Sequence, residues 1–389
     1  MGSSRAWARV QLAGGRPTWL VVAIVLVALG PLGTLACSGP AGSPAAKTSA
    51  PPPAAGSAST AAPAPTTAAS AASPAAPAAA ARPERQTIKY GYNPILSGAP
   101  VYVAQERGYF AEQGFDVEYT PFDSAALMVA PVSAGQLDMM PAVPGPGTFN
   151  ALARGVQLQA IAAQSWSYTG LMVRKDLYES GQVRTIPDLK GRRVSFNVEG
   201  SPVDYTLRVA FQQAGLSLDD VEVQRVTNTD LAAALSNNGV DAGVVPEPLS
   251  TNIESRGIGV RLLDVQELVG RQTGSVITAG PSMVDRGDAV ITRYLVAYLK
   301  GLRDYAAGIK DNHVVDPAIV EMINKWTRIP PETIQAAITL GADPTGRIDL
   351  DDVNRQQEFW YREGLVPVKA DLNRFVEYRY LDAALPQVR

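Results

Sequence analysis

Between residues 86 and 277, short apolar runs alternate with amphipathic stretches. Thr87-Ile88-Lys89-Tyr90-Gly91-Tyr92 places β-prone side chains at period two and predicts a strand over 87–92. A polar loop, 93–100, leads into a helix-like stretch, 101–113, which Gly114 stops. Strands are then expected over 115–121, 137–143 and 158–164, with helices over 124–134 and 147–154 between them. Strands interleaved with short helices predict parallel βαβ units.

The alternation restarts past a turn at 186–191. A strand over 193–197 precedes a helix with strong start signals: Ser201 at the N-cap, Pro202 after it, Asp204 in the first turn, and Gly215 as the stop. Strands over 221–226, 242–245 and 260–263 alternate with helices over 230–237 and 249–256. From 289 onward the pattern is mostly helical (289–310, 317–326, 331–340 and 350–363). Trp326 and Trp360 recur there with apolar neighbours at helical spacing, which reads as core. One motif occurs twice. Gly135-Gln136-Leu137-Asp138 leads into Met140 to Pro144, and Gly239-Val240-Asp241 leads into Val244 to Pro248. Two related lobes would produce this echo; so would the general habit of α/β proteins to set Gly-x-Asp before a buried strand.

Ahead of this folded part, Arg5, Arg9 and Arg16 precede an apolar run from Trp19 to Leu29. A basic segment before a short apolar one is the layout of a secretory signal, and the run is about half of the ~20 residues that span a bilayer. Ala36-Cys37 follows, a small residue before cysteine, which resembles a bacterial lipoprotein cleavage site. Thr34 stands where that site usually carries Leu, Val or Ile. The reading is a signal over 1–36 and lipid on Cys37. Residues 38–83 are almost wholly Ala, Pro, Ser, Thr and Gly, too poor in large apolar groups to offset ordering entropy. The expectation for 37–85 is a lipidated, disordered tether with a reach of roughly 40 Å.

The chain of 389 residues carries 34 Lys and Arg against 37 Asp and Glu, a net charge of −3. The basic signal segment makes the remainder more acidic still, so a nucleic-acid partner is not expected. One cysteine and one histidine, His313, allow no internal disulfide and no soft-ligand metal cluster. Neither cofactor nor metal is expected. His313 falls in Lys310-Asp311-Asn312-His313, expected at a helix end, where it complements the dipole.

Four pieces, in order and spacing, resemble a known family: Gly91-Tyr92-Asn93-Pro94 through Pro100-Val101-Tyr102 to Gly108-Tyr109-Phe110; Ser133 to Asp138; Asp188-Leu189-Lys190-Gly191 with Glu199-Gly200-Ser201; and Gly239 to Ala242 ending in Pro246-Glu247-Pro248. From about residue 86 on, the chain is similar to the solute-binding proteins of ABC importers that handle nitrate, sulfonates, taurine and thiamine-pyrimidine precursors. The resemblance implies an α/β chain with the two-lobed type II periplasmic-binding fold: two mixed, mostly parallel sheets flanked by helices, with a helical C-terminal extension. Lobe 1 would be 86–172 plus 278–389 and lobe 2 would be 173–277, hinged near 170–173 and 275–278. It further implies a monomer, lipid-anchored outside the cytoplasm, that passes a small molecule to a membrane permease.

In open α/β sheets, ligands bind beyond the carboxyl ends of the strands. In lobe 1 this selects Ser97, Gly98, Pro100, Tyr102, Asp123, Ser124, Val143, Pro144, Trp166 and Tyr168. In lobe 2 it selects Glu199, Gly200, Ser201, Thr227, Asn228, Pro246 and Glu247. These loops carry carboxylates and aromatics but no Arg or Lys, which suits an organic solute with N–H donors, aminopyrimidine-like or sulfonate/taurine-like, over nitrate or bicarbonate. Two other classes share the fold. A thiamine-pyrimidine-synthase-like enzyme would need cysteine and histidine chemistry that this composition does not offer. A sensor lipoprotein without a transporter would look the same in sequence.

Overall fold

The computed structural model describes residues 85–388 other than 123, 265 and 340. The signal, Cys37, the tether and Asp123 lie outside the described residues. Ten strands build two five-stranded sheets: β1 (Gln86–Tyr92), β2 (Phe115–Pro121), β3 (Met139–Ala142), β4 (Gln159–Trp166), β5 (Thr169–Arg174), β6 (Arg193–Phe196), β7 (Glu222–Arg225), β8 (Ala242–Pro246), β9 (Gly259–Asp264) and β10 (Thr273–Ala279). The first sheet has the order β2-β1-β3-β10-β4 and the second β7-β6-β8-β5-β9. Both are mixed. β1 runs parallel to β2 and β3, β6 runs parallel to β7 and β8, and β10 and β5 are antiparallel to the neighbours on either side of them.

The two antiparallel strands correct the sequence reading. The segments expected as hinges, 170–173 and 275–278, are interior strands of their sheets. The boundary expected at 172/173 falls inside β5, which belongs wholly to the second sheet. That expected at 277/278 falls inside β10, which belongs wholly to the first. Their residues are small or apolar and buried, as a strand covered on both faces requires. The chain therefore passes between sheets at 167–168 and again between β9 and β10.

Local departures have local causes. The stretch 101–113 splits into Ala99–Glu106 and Tyr109–Glu112 because Gly108 takes φ 76°, a left-handed turn that ends the first helix. The stretch 124–134 becomes a 3₁₀ turn, Ala125–Met128, and a single helical turn, Val129–Ser133, shortened by Pro131. The long C-terminal helix stops at Ala307, and His313 lies in a two-stranded ribbon with Ile309–Lys310 rather than at a helix end.

Each face of the first sheet carries its own core. One cluster gathers Ile88, Tyr90, Phe110, Tyr294, Tyr298 and Leu302 beneath the Asp288–Ala307 helix. Another gathers Met140, Phe149, Phe359, Trp360 and Phe375. Trp360 is buried, and Trp326 stacks flat on Tyr102 with ring centroids 5.1 Å apart.

The repeated motif has the same structural role in both lobes. Asp138, just before β3, donates its backbone N–H to Lys89 O and accepts the Lys89 N–H on Oδ2, at 2.8 and 2.9 Å. Asp241, just before β8, does the same with Arg193, at 2.8 and 3.0 Å. Arginines close both carboxylates: Arg286 on Asp138, and Arg193 with Arg174 on Asp241. The echo is thus a clamp that docks β3 on β1 in one sheet and β8 on β6 in the other.

Candidate ligand-binding site

The strand directions define the site. The carboxyl ends of β1, β3 and β4 share one edge of the first sheet with the start of β10, where Thr273 pairs with Trp166. The carboxyl ends of β6, β7, β8 and β9 share one edge of the second sheet with the start of β5, where Thr169 pairs with Pro246. Both interlobe passages leave from these edges, and the first is only Ser167-Tyr168. The two strand-end edges are therefore held toward each other.

The passages are also tied together. Gln266 Nε2 donates to Ser167 O at 2.9 Å, and its Oε1 accepts the Thr169 N–H at 3.2 Å. Ser167 N–H donates to Gln272 O at 2.8 Å. The Leu350–Arg362 helix braces the second passage: Asp352 Oδ2 accepts the Thr273 N–H at 2.6 Å, and Gln356 Nε2 donates to Thr273 O at 3.2 Å.

Across the cleft the lobes meet glycine to glycine. A Cβ on Gly145 would stand 2.8 Å from Gly200 O, and one on Gly200 would stand 2.9 Å from Pro146 Cγ. Gly200 has φ 75°, the left-handed turn that precedes the Pro202–Gln213 helix. That helix also reaches the C-terminal helix of the first lobe. Tyr205 sets its ring edge-on to Phe359 at 4.8 Å, and Arg208 Nη1 donates to Glu363 Oε2 at 2.8 Å.

Several of the residues expected at the cleft are occupied within their own lobe. Tyr102 donates its hydroxyl to Asn93 O at 2.6 Å, and burial pushes its phenol above the ordinary value. Gly98 abuts that hydroxyl, and Pro100 is buried in the same helix. Ser201 caps its helix by accepting the Asp204 N–H, and donates to Asn197 Oδ1. Thr227 donates to Asp230 in an exposed turn. Ser124 is exposed. Glu199 is exposed and pairs with Arg208 at 3.2 Å. The Glu247 side chain is buried and held by Arg261 at 2.8 Å and by the Thr251 hydroxyl at 3.0 Å.

Others stand at the edges themselves. Trp166 and Tyr168 are half-buried at the first passage, and the guanidinium of Arg271 lies 5.8 Å from the centre of the Trp166 ring. Burial first, then a hydrogen bond to Asp264, pushes the Tyr168 phenol well above its usual value. Ser97 offers its carbonyl to Gln164 Nε2 at 3.0 Å. Val143 and Pro144 flank the Gly145 contact, and Asn228 is half-buried beyond β7.

Sequence reasoning missed the residues that neutralise the acids. Arg261, in the middle of β9, faces Glu247, Glu254 and Asp264. Burial alone would lower its pKa, but the bonds to Glu247 and Asp264 outweigh burial and the net direction is upward. Arg208 similarly meets Asp204, Glu199 and Glu363. Gln164, Gln266 and Gln272 were also missed. Nothing in an alternating strand pattern marks a glutamine or an arginine as the partner of a loop distant in sequence.

The family model described as NMT1/THI5 like matches residues 97–308. A Brucella abortus protein named for binding, with no ligand in its name, is 27% identical over 174 residues; the match covers 44% of this chain and 52% of that protein, so the chain spans about half the length of such curated relatives. The crystal structure of the periplasmic aliphatic sulphonate binding protein SsuA from Escherichia coli superposes with a TM-score of 0.60 at 21% identity, covering 75% of this chain and 92% of that one. The periplasmic nitrate-binding protein NrtA from Synechocystis PCC 6803 gives 0.66 at 15% identity, covering 79% and 90%. Two mixed sheets flanked by helices, with a helical C-terminal region, are the periplasmic-binding fold of those structures.

Proposed function

We propose, from the premise that this chain belongs to the NMT1/THI5-like family, that it captures a small organic solute between its two sheets outside the cytoplasm and delivers it to an ABC importer in the membrane. The observation that carries this reading is the pairing of the two strand-end edges by short passages, with Gly145 and Gly200 meeting across them. Such an arrangement buries a solute when the lobes close and releases it when they part.

The enzyme alternative has less to rest on. The sole histidine, His313, is engaged at 3.1 Å with Ala337 O in the ribbon, outside every strand-end loop.

Gly145→Val should wedge the lobes apart, because its side chain meets backbone rather than a movable side chain. Small molecules released on denaturing the purified protein, identified by mass spectrometry, supply the solute. Added back, that solute should shrink the radius of gyration of the wild type in solution scattering and quench or enhance tryptophan emission through Trp166. The variant should show neither change and at least ~10-fold weaker binding, a difference of about 1.4 kcal/mol. Equal compaction of both proteins would contradict the closure mechanism.

We also propose attachment to the outer face of the membrane through lipid on Cys37. Among the described residues no helix is long and apolar enough to cross a membrane. Radiolabelled fatty acid should enter the wild type and be lost from Cys37→Ser; equal labelling would refute the anchor.

A further inference from the structure

Away from the two passages, one helix of the second lobe carries the polar contacts to the first. Among the described residues, the side-chain hydrogen bonds that join the lobes outside the passages run from the Pro202–Gln213 helix to Glu363, at the end of the Leu350–Arg362 helix. Arg208 Nη1 donates to Glu363 Oε2 at 2.8 Å, and Gln212 Nε2 donates to Glu363 Oε1 at 3.0 Å. Both oxygens of this carboxylate are thus held from the opposite lobe. Tyr205 lies on the same helix face as Arg208 and Gln212, because these positions are spaced by three and four residues. Its ring meets Phe359 edge-on and lies 5.9 Å from Trp360, and Tyr205 and Phe359 are 8% and 7% exposed.

The polar half of this seam is built to be made and broken. Arg208 is oriented by its own lobe: Nε donates to Asp204 Oδ1 at 2.8 Å and Nη2 to Glu199 Oε1 at 3.2 Å. A guanidinium already fixed by two carboxylates loses little freedom on reaching a third. The Asp204 side chain is fully buried, whereas that of Glu363 is 22% exposed. When the lobes part, Asp204 keeps Arg208 and Glu363 turns to water. No charge is left buried without a partner, which is the penalty that makes buried ion pairs hard to separate. A cavity of about 90 Å³ adjoins the pair, lined by Arg208, Phe211, Gln212 and Glu363 among others, and gives water a way in. The apolar half opposes separation, because parting exposes the Tyr205 and Phe359 rings. Asp204 also accepts the Gly200 N–H at 2.8 Å, so the Gly145–Gly200 contact and the Arg208–Glu363 pair belong to one connected unit.

We propose that the Tyr205–Gln212 face and Glu363 form an interlobe latch, which holds the ligand-free lobes together and makes the open arrangement a minor state. The bias exists before any solute arrives, so it goes beyond the solute-binding reading. Where the closed state is the bound one, as that reading has it, the latch raises affinity through residues that never touch the solute.

Distances between the lobes of the ligand-free, full-length protein test it. Cys37→Ser removes the native thiol, and Glu118→Cys with Glu222→Cys, exposed positions on the outer strands β2 and β7, take spin labels. Refolding from denaturant strips copurified molecules, and pulsed electron resonance then reads the separation. The labelled protein with an intact seam should show one dominant, short-distance population. Glu363→Lys sets a like charge against Arg208 and should raise the open population at least ~10-fold. Gln212→Leu, at an exposed position, removes one bond and should raise it about 3-fold, which keeps the test valid if Glu363→Lys misfolds. A distribution unchanged by both substitutions would make the seam a fixed pivot, and an intact seam already mostly open would show that it holds nothing. Either result would overturn the latch and leave the solute-binding reading standing.

Discussion

Gly301→Val should cost at least ~4 kcal/mol and leave little folded protein at 37 °C, whereas Gly301→Ala should cost about 2 kcal/mol. Gly301 lies in the Asp288–Ala307 helix where it crosses the Ala99–Glu106 helix. A Cβ there would stand 2.5 Å from Ala104 Cβ, 2.6 Å from Ala104 N and 2.7 Å from Ala104 Cα. Two of these atoms are backbone, so the clash is relieved only by moving one helix off the other. Tyr294, Leu295, Tyr298 and Leu302 on the same helix are fully buried and resist that movement. At an open helical position Gly→Ala would stabilise by up to ~1 kcal/mol. The sign of the alanine effect therefore distinguishes a close helix crossing from an open helical position. Denaturant midpoints measure it, and a Gly301→Ala protein as stable as wild type would refute the contact.

Asp241→Ala should destabilise the protein by about 3 kcal/mol, the scale for removing one partner from a buried, hydrogen-bonded charge cluster. The side chain is 11% exposed and accepts bonds from the Arg193 backbone, the Arg193 guanidinium and Arg174. Its loss strands a strand N–H and leaves two guanidiniums short of a partner. The effect should depend on pH in a defined sense. Burial alone would raise this carboxyl, but the bonds from Arg193, with the charge of Arg174, overcome burial and hold it below the usual aspartate value. A depressed folded-state pKa means the stabilisation is fully present above the unfolded value of ~3.9 and is lost as pH falls through the folded value. The gap in urea midpoint between wild type and Asp241→Asn should thus stay constant from pH 7 to about 5 and narrow only below ~4. A gap that narrows between pH 7 and 5 would contradict the clamp.

The legible and illegible parts of this protein divide by the range of the forces involved. Strand β2 was expected over 115–121 and spans Phe115–Pro121; the helix opened by Ser201 and Pro202 starts where its cap predicts. Those signals are local: side-chain alternation, a capping hydroxyl that accepts Asp204 N–H, and a glycine that ends the helix. The repeated glycine and aspartate before a buried strand were visible as a pattern but ambiguous, because their meaning lies in the bonds to Lys89 and Arg193, 49 and 48 residues away.

The rest was decided by pairing between segments remote in the chain. Nothing local tells an apolar segment such as 170–173 or 275–278 whether it bridges two lobes or fills the middle of a sheet, since burial on both faces asks for the same residues. Only the register of β5 against β8 and β9, and of β10 against β3 and β4, resolves it. The site followed the same division. The rule of strand ends led to the loops, and Trp166, Asn228 and Gly200 do stand at the two edges. The charge state of those edges did not follow, because Glu247 looks like a free acid until β9 folds Arg261 onto it, 14 residues downstream and buried beside it. Local patterning sets which segments become strands and helices. Only the packed structure determines which polar atoms are left for a ligand, because each side chain's partner is chosen by proximity in space.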